Sequence, residues 1–330
     1  MDPLRPESFT HRYATVNGIR MHYVDEGAGP ATVLCVHGFP DLWYGWRYQI
    51  PFLVSLGYRV LVPDMRGYGQ TDAPTDVSTY SAKNIVKDLV SLLDIAGVDR
   101  AVWAGHDWGG MHVWRATMWH PERVLGVISF CTPFSRPLST KASLEDIVAK
   151  RPYWKYQLYL AKSDTPDELD HHIDLFLNAL LRKHTELLHT SVMSSTLPLD
   201  QRSITDTRDA PRSTLLSQNE LMFYIQQYKI NGLRGPTNYY RVHELNWEQE
   251  HAAGFGKDFG LDKLCMMVTC GHDTALPPTL SKDMESFIPR LMREHVEECG
   301  HWMLVEQRDF ANAALKKYLG ALKTNTVAKI

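Results

Sequence analysis

Three residues in a fixed chain order could do chemistry together: Asp107, Asp273 and His301. Asp107 stands in Ala101-Val102-Trp103-Ala104-Gly105-His106-Asp107-Trp108-Gly109-Gly110, an apolar run and then a glycine on each side of the acid. That pattern predicts a strand, a sharp turn and a helix from near Met111, with the central side chain pushed out over a sheet. Glycines are required because the two backbones approach too closely for side chains. Asp is also a favoured helix N-cap, but capping alone leaves the partners downstream unexplained. They follow in the order nucleophile, acid, histidine. Val268-Thr269-Cys270-Gly271-His272-Asp273 ends a strand-like run, and Gly300-His301-Trp302 comes shortly after. Asp273 would accept the Nδ1 proton of His301, fix its tautomer and steady the imidazolium. The other place where an acid could stand, Cys131-Thr132-Pro133-Phe134, holds no carboxylate.

The type of nucleophile selects the reaction. At a saturated carbon an alcohol would form an inert ether, whereas a carboxylate forms an ester that water, activated by His301, can hydrolyse at the Asp107 carbonyl carbon. Asp107 therefore predicts substitution at sp³ carbon, with epoxides and haloalkanes as the leading substrates. Ester hydrolysis passes through an oxyanion. His37-Gly38-Phe39-Pro40, after the apolar run Thr32–Val36, is placed to give the Phe39 N–H, and Trp108 would give a second. Each such donor stabilises an oxyanion by about 3 kcal/mol. Asp64-Met65-Arg66-Gly67-Tyr68-Gly69 reads instead as an ion pair and turn bracing the sheet.

The elements that must position these groups follow from periodicity. Alternating stretches His11–Val16 and Arg20–Val24 flank Asn17-Gly18, a tight-turn dipeptide, and predict a hairpin. Short β-branched apolar runs at Thr32–Val36, Tyr58–Val62, Ala101–Ala104, Val124–Phe130 and Leu264–Thr269 predict strands covered on both faces. Helical patterns such as Ala82–Ala96 alternate with them, which argues for a mainly parallel sheet with helices on both sides. From about Arg136 to Leu245 the alternation stops and the chain becomes helical and aromatic, with amphipathic stretches Pro166–Leu188 and Gln218–Tyr228. We expect an α/β core formed by residues 1–135 and 246–330, with a helical lid inserted at 136–245 over the carboxyl ends of the strands. Asp309–Leu322, with apolar Phe310, Ala313, Leu315, Tyr318 and Leu322, is expected to close the core as a helix.

Composition limits the partners. In 330 residues, 35 Lys and Arg face 38 Asp and Glu, a net charge of −3, so no strong field attracts nucleic acid or an anionic membrane. The amino terminus lacks a secretory signal and no apolar run is long enough to span a bilayer. A cytoplasmic location is expected, with a peroxisomal address as the alternative from Ala328-Lys329-Ile330. The five cysteines lie mostly in strand-like runs and read as buried thiols. His243-Glu244 with His251 lacks the zinc spacing, and His171-His172 has no nearby partners, so neither cofactor nor metal is expected.

His37-Gly38-Phe39-Pro40, Gly105-His106-Asp107-Trp108-Gly109-Gly110, Asp273 and Gly300-His301-Trp302 together resemble the soluble epoxide hydrolases of the α/β-hydrolase superfamily, over nearly the whole chain. In the lid, Arg234-Gly235-Pro236-Thr237-Asn238-Tyr239-Tyr240-Arg241 resembles that family's Arg-Gly-x-x-Asn-x-Tyr-Arg segment. The resemblance implies that Tyr240 is one of two lid tyrosines that hold and protonate the epoxide oxygen. The second falls in Tyr153-Trp154-Lys155-Tyr156-Gln157-Leu158-Tyr159, where the Tyr-Gln order favours Tyr156. A phenol suits this task, because ring opening develops alkoxide charge whereas a leaving halide needs no proton. The implied substrates are a small apolar epoxide and water. Haloalkane dehalogenases share the elbow but commonly carry Asn or Glu where this chain has Phe39, and fluoroacetate dehalogenases carry Arg where it has Trp108. A non-catalytic receptor of the same fold is the alternative from another class. Some relatives carry an amino-terminal phosphatase domain, which a chain starting almost at its first hairpin is not expected to have.

Overall fold

The period-two stretches around Asn17-Gly18 pair as an antiparallel hairpin, β1 (His11–Val16) with β2 (Ile19–Glu26), in the computed structural model of the chain, which describes residues 1–186, 204–256 and 259–327. Asn17 and Gly18 both take positive φ, 43° and 82°, as the tight turn requires. Beyond the hairpin lie β3 (Thr32–Val36), β4 (Arg59–Pro63), β5 (Ala101–His106), β6 (Val124–Phe130), β7 (Cys265–Cys270) and β8 (Leu291–Val296). Their order across the eight-stranded sheet is β1-β2-β4-β3-β5-β6-β7-β8. β2 pairs antiparallel with β1 and β4, and every pairing from β4 to β8 is parallel.

Every residue of β3, β5 and β7 is buried, which is why these strands read as unbroken apolar runs rather than alternating ones. β8 escaped the sequence reading for the converse reason. It is an edge strand with no fully buried residue, and its Arg293, Glu294 and His295 hide the strand signal. Around the sheet pack α1 (Gln49–Ser55), α2 (Ala82–Ile95) and α3 (Trp108–Trp119).

Between β6 and β7 the described residues form helices and turns only: α4 (Leu144–Lys150), α5 (Lys155–Leu160), α6 (Thr165–His171), α7 (Ile173–Leu180), α8 (Gln218–Asn231), α9 (Arg234–Asn238) and α10 (His243–Ala252). The stretch expected as one amphipathic run from Pro166 divides at His172, whose φ of −129° and ψ of 35° interrupt the helix; Leu188, its expected end, lies outside the described residues. α10 runs across residue 245 into the returning core. The chain closes with α11 (Met303–Glu306) and α12 (Arg308–Val327). In α12 Ala311, Ala314, Leu315, Tyr318 and Leu319 are buried while Ala313 is exposed, so the inward stripe is rotated from the expected one.

Buried charges fasten the helical segment to the sheet. Glu220 closes a capping box at the start of α8, and the same carboxylate takes Arg47 at 2.8 Å. Arg115 of α3 meets Glu250 of α10 at 2.6 Å, and Tyr224 donates to Asp41 Oδ1 at 2.6 Å. Each buried charge must find its partner or lose several kcal/mol of desolvation, so these contacts specify how the segment sits on the core. Asp64 and Arg66 brace the sheet as expected, through partners elsewhere: Asp64 with His22 at 2.8 Å and Arg66 with Asp88 at 2.7 Å.

Candidate active site

β5 ends at His106 and α3 begins at Trp108, so Asp107 alone makes the turn, at φ 54° and ψ −123°. The helix thus starts three residues before the expected Met111, because the turn is a single residue long. A non-glycine residue held there costs about 1–3 kcal/mol. The surroundings hold it: Thr132 Oγ1 donates to the Asp107 carbonyl at 2.6 Å, as does the Met111 N–H at 3.1 Å. A β-carbon on Gly109 would lie 2.0 Å from the Val36 carbonyl oxygen, so only glycine lets α3 cross β3 this closely.

The Asp107 side chain makes no capping hydrogen bond to α3. Its Oδ1 instead accepts the Phe39 N–H at 2.7 Å, and its Oδ2 lies 3.5 Å from His301 Nε2. The loop that carries Phe39 is fixed by His37, whose Nδ1 donates to the Gly38 carbonyl at 2.9 Å while its Nε2 accepts the Met65 N–H at 2.9 Å. Trp108, as the first residue of α3, has an N–H without an intrahelical acceptor.

On the far side of the imidazole, His301 Nδ1 is 2.8 Å from Asp273 Oδ2, while Asp273 Oδ1 accepts the N–H groups of Ala275 and Leu276 at 2.9 and 2.8 Å. Burial works against charge on all three residues, but they sustain each other. The hydrogen bond and charge of His301 outweigh burial at Asp107 and hold its carboxyl below the ordinary value; His301 does the same for Asp273. Against the same burial, Asp273 and then Asp107 raise the imidazole well above 6.5. The resting group is an imidazolium between two carboxylates.

Several neighbours were not picked out from the sequence. His106 Nε2 donates to the His301 carbonyl at 2.8 Å, and burial, with the His301 charge, keeps its own ring neutral. Glu306 accepts the Gly300 N–H at 2.9 Å, and Thr132 holds the elbow as described. His106 and Thr132 lie inside motifs read for their glycines or for a missing carboxylate, and a hydroxyl to a backbone carbonyl leaves no spacing signature.

Tyr156 of α5 and Tyr240 of the short 3₁₀ turn Tyr239–Arg241 meet at 6.2 Å between ring centroids, both buried. Tyr240 stands edge-on to Phe39 and to Trp108, 5.2 Å from each. Burial raises both phenols above 10, and the Asp107 charge adds to it. Of the other tyrosines in the stretch around Tyr156, Tyr159 donates to Glu168 at 2.8 Å, and Tyr153, like Tyr240, is not among the residues lining the cavity, whereas Tyr156 is; Tyr239, next to Tyr240, donates to the Arg66 carbonyl at 2.9 Å. A cavity of about 250 Å³ lined by Asp107, Trp108, Tyr156, Gln157, Ile147 and Leu276 opens beside these groups. The arrangement brings together a carboxylate that accepts a backbone N–H, an imidazole held by a second carboxylate, and two buried phenols. Among the described residues no helix is long and apolar enough to cross a membrane. Ala328-Lys329-Ile330 lies outside them.

The family model described as the alpha/beta hydrolase fold matches residues 31–307. Among curated proteins, "Bifunctional epoxide hydrolase 2" of Sus scrofa is 38% identical over 95% of this chain, and "Epoxide hydrolase srdG" of Neurospora crassa is 34% identical over 96% of this chain and 98% of its own length. The crystal structure of epoxide hydrolase A from Mycobacterium thermoresistibile superposes with a TM-score of 0.83 at 29% identity, covering 94% of this chain and 98% of that one. The chain belongs to the soluble epoxide hydrolase family of the α/β-hydrolase superfamily. It spans 56% of the length of the bifunctional mammalian relative.

Proposed function

We propose that the protein hydrolyses epoxides to vicinal diols through a covalent ester on Asp107, beneath a lid formed by residues 136–245 over a core of 1–135 and 246–330. The observation that supports this most is the meeting of two neutral phenols, Tyr156 and Tyr240, beside a carboxylate whose other neighbour is a histidine–carboxylate pair. Oδ2 of Asp107 attacks one epoxide carbon while Oδ1 stays on the Phe39 N–H. As the C–O bond breaks, the alkoxide takes a proton from a lid phenol, and a hydroxyalkyl ester remains.

Esterification removes the negative charge next to His301 Nε2. One of the two groups that raise its pKa is gone, so the imidazolium gives up its proton, which restores the phenol. The neutral ring can then take a proton from water while hydroxide adds to the Asp107 carbonyl carbon. The resulting oxyanion forms on Oδ1, where the Phe39 N–H and the Trp108 N–H would stabilise it. Collapse expels the diol as alkoxide, which is protonated as Asp107 returns to carboxylate. His301 is again imidazolium, so protons balance over the cycle. A haloalkane would need no phenol, which favours epoxides as the substrate class.

Single turnover in ¹⁸O-water tests this scheme. The new oxygen of the diol should be unlabelled, because it comes from Asp107, and the label should appear in the Asp107 carboxylate. A fully labelled diol in the first turnover would mean direct attack by water.

A further inference from the structure

Away from the cavity, three side chains from distant stretches converge. They are His184 in the 3₁₀ turn His184–Glu186, His272 immediately before Asp273, and Glu298 shortly before His301. Their ligand atoms all lie within 4.8 Å of one another. Nε2 of His184 is 3.6 Å, and Nε2 of His272 is 3.8 Å, from the same Glu298 oxygen, and the two rings stack 8° from parallel. Side-chain exposures of 14%, 45% and 78% leave the cluster open to ions.

His184 is already oriented as a ligand. Its Nδ1 lies 2.5 Å from Glu306, a carboxylate only 5% exposed, so Nδ1 carries the proton and donates it. That leaves Nε2 as the ring nitrogen facing the Glu298 carboxylate, 3.6 Å away and outside hydrogen-bond distance. A carboxylate behind a metal-binding imidazole is the arrangement that fixes its tautomer and raises its basicity.

We propose that His184, His272 and Glu298 bind one divalent transition-metal cation of the zinc class. Two imidazole nitrogens and one carboxylate oxygen, with water as fourth ligand, suit tetrahedral Zn²⁺ or Co²⁺ and disfavour Mg²⁺ and Ca²⁺, which prefer all-oxygen sites. Metal–ligand distances of about 2.0–2.2 Å require the His272 ring to swing out of its stack on His184 so that both nitrogen lone pairs point at one ion, and the exposure of His272 and Glu298 allows that movement. The ion would join the helical segment, through His184, to the two loops that carry Asp273 and His301. This site shares no ligand with the cavity, so it stands apart from the proposed reaction.

The test uses the full chain, stripped with a chelator and titrated with Co²⁺. One equivalent should bind with the visible absorption of tetrahedral cobalt, be displaced by Zn²⁺, and raise the melting temperature. His272→Gln and Glu298→Gln should each weaken uptake about tenfold or more, and the double variant should lose the tetrahedral spectrum while turning over epoxide, without metal, at the unaltered rate. Equal uptake and an equal spectrum in the wild type and the double variant, or no stoichiometric uptake by the wild type, would overturn the proposal.

Discussion

Replacing Asp273 by Asn should separate the two chemical steps, because the structure dictates which way the amide must face. Two backbone N–H groups, from Ala275 and Leu276, converge on Asp273 Oδ1 at 2.9 and 2.8 Å. The asparagine carbonyl has to occupy that position, which turns its NH₂ towards His301 Nδ1, now 2.8 Å from Oδ2. Two donors cannot face each other, so Nδ1 becomes an acceptor and the ring proton moves to Nε2. The base then has no lone pair facing the water it should activate. The equivalent change in a serine-protease triad costs about 10⁴ in turnover, close to 5.5 kcal/mol at about 1.36 kcal/mol per decade. Here the loss should fall on ester hydrolysis alone. Asp107 keeps its Phe39 N–H, and the phenols are untouched, so ester formation continues. Stopped-flow tryptophan fluorescence, reporting Trp108, should show a burst of one equivalent with styrene oxide, and intact mass should show the alkylated chain accumulating. Steady-state turnover within tenfold of wild type, or turnover lost with no adduct formed, would refute the reasoning.

Tyr156→Phe and Tyr240→Phe should each slow ester formation by about 10²–10³ and leave decay of a preformed ester unchanged, with the double variant close to inactive; pre-steady-state rates for the two phases check this. Gly109→Ala would place a β-carbon 2.0 Å from the Val36 carbonyl oxygen, backbone against backbone, and should destabilise the fold by about 3 kcal/mol or more in urea unfolding. The two phases should also differ in pH dependence. Asp107 is held below its ordinary value, so ester formation should stay level through neutral pH and fall only in strong acid. Ester hydrolysis needs neutral His301 and should fall as pH drops, so the adduct accumulates in acid; the raised phenols predict no alkaline loss up to about pH 10. Single-turnover rates across pH check both signs, and an adduct that builds up on the alkaline side instead would contradict them.

Much of this protein is legible in one dimension. The hairpin around Asn17-Gly18, the buried strands and the elbow at Asp107 are written in short-range pattern, because a tight turn needs positive φ, a two-sided strand needs an unbroken apolar run, and a strand crossing a helix needs glycine. The chain order of Asp107, Asp273 and His301 belongs to the sequence as well. What required the tertiary structure was the facing of side chains across distant elements. Tyr153, Tyr156 and Tyr159 look alike in a helical stretch, and only the seating of α5 on the core sends Tyr156 to the cavity and Tyr159 to Glu168. The edge position of β8, the break at His172 and the rotated stripe of α12 follow in the same way from neighbours that periodicity cannot see. The contacts of Thr132 and His106 around the elbow, and the gathering of His184, His272 and Glu298, leave no spacing signature at all. Local backbone preference acts between adjacent residues and can be read from them, whereas the partner of a buried polar atom is chosen by packing between segments far apart in the chain.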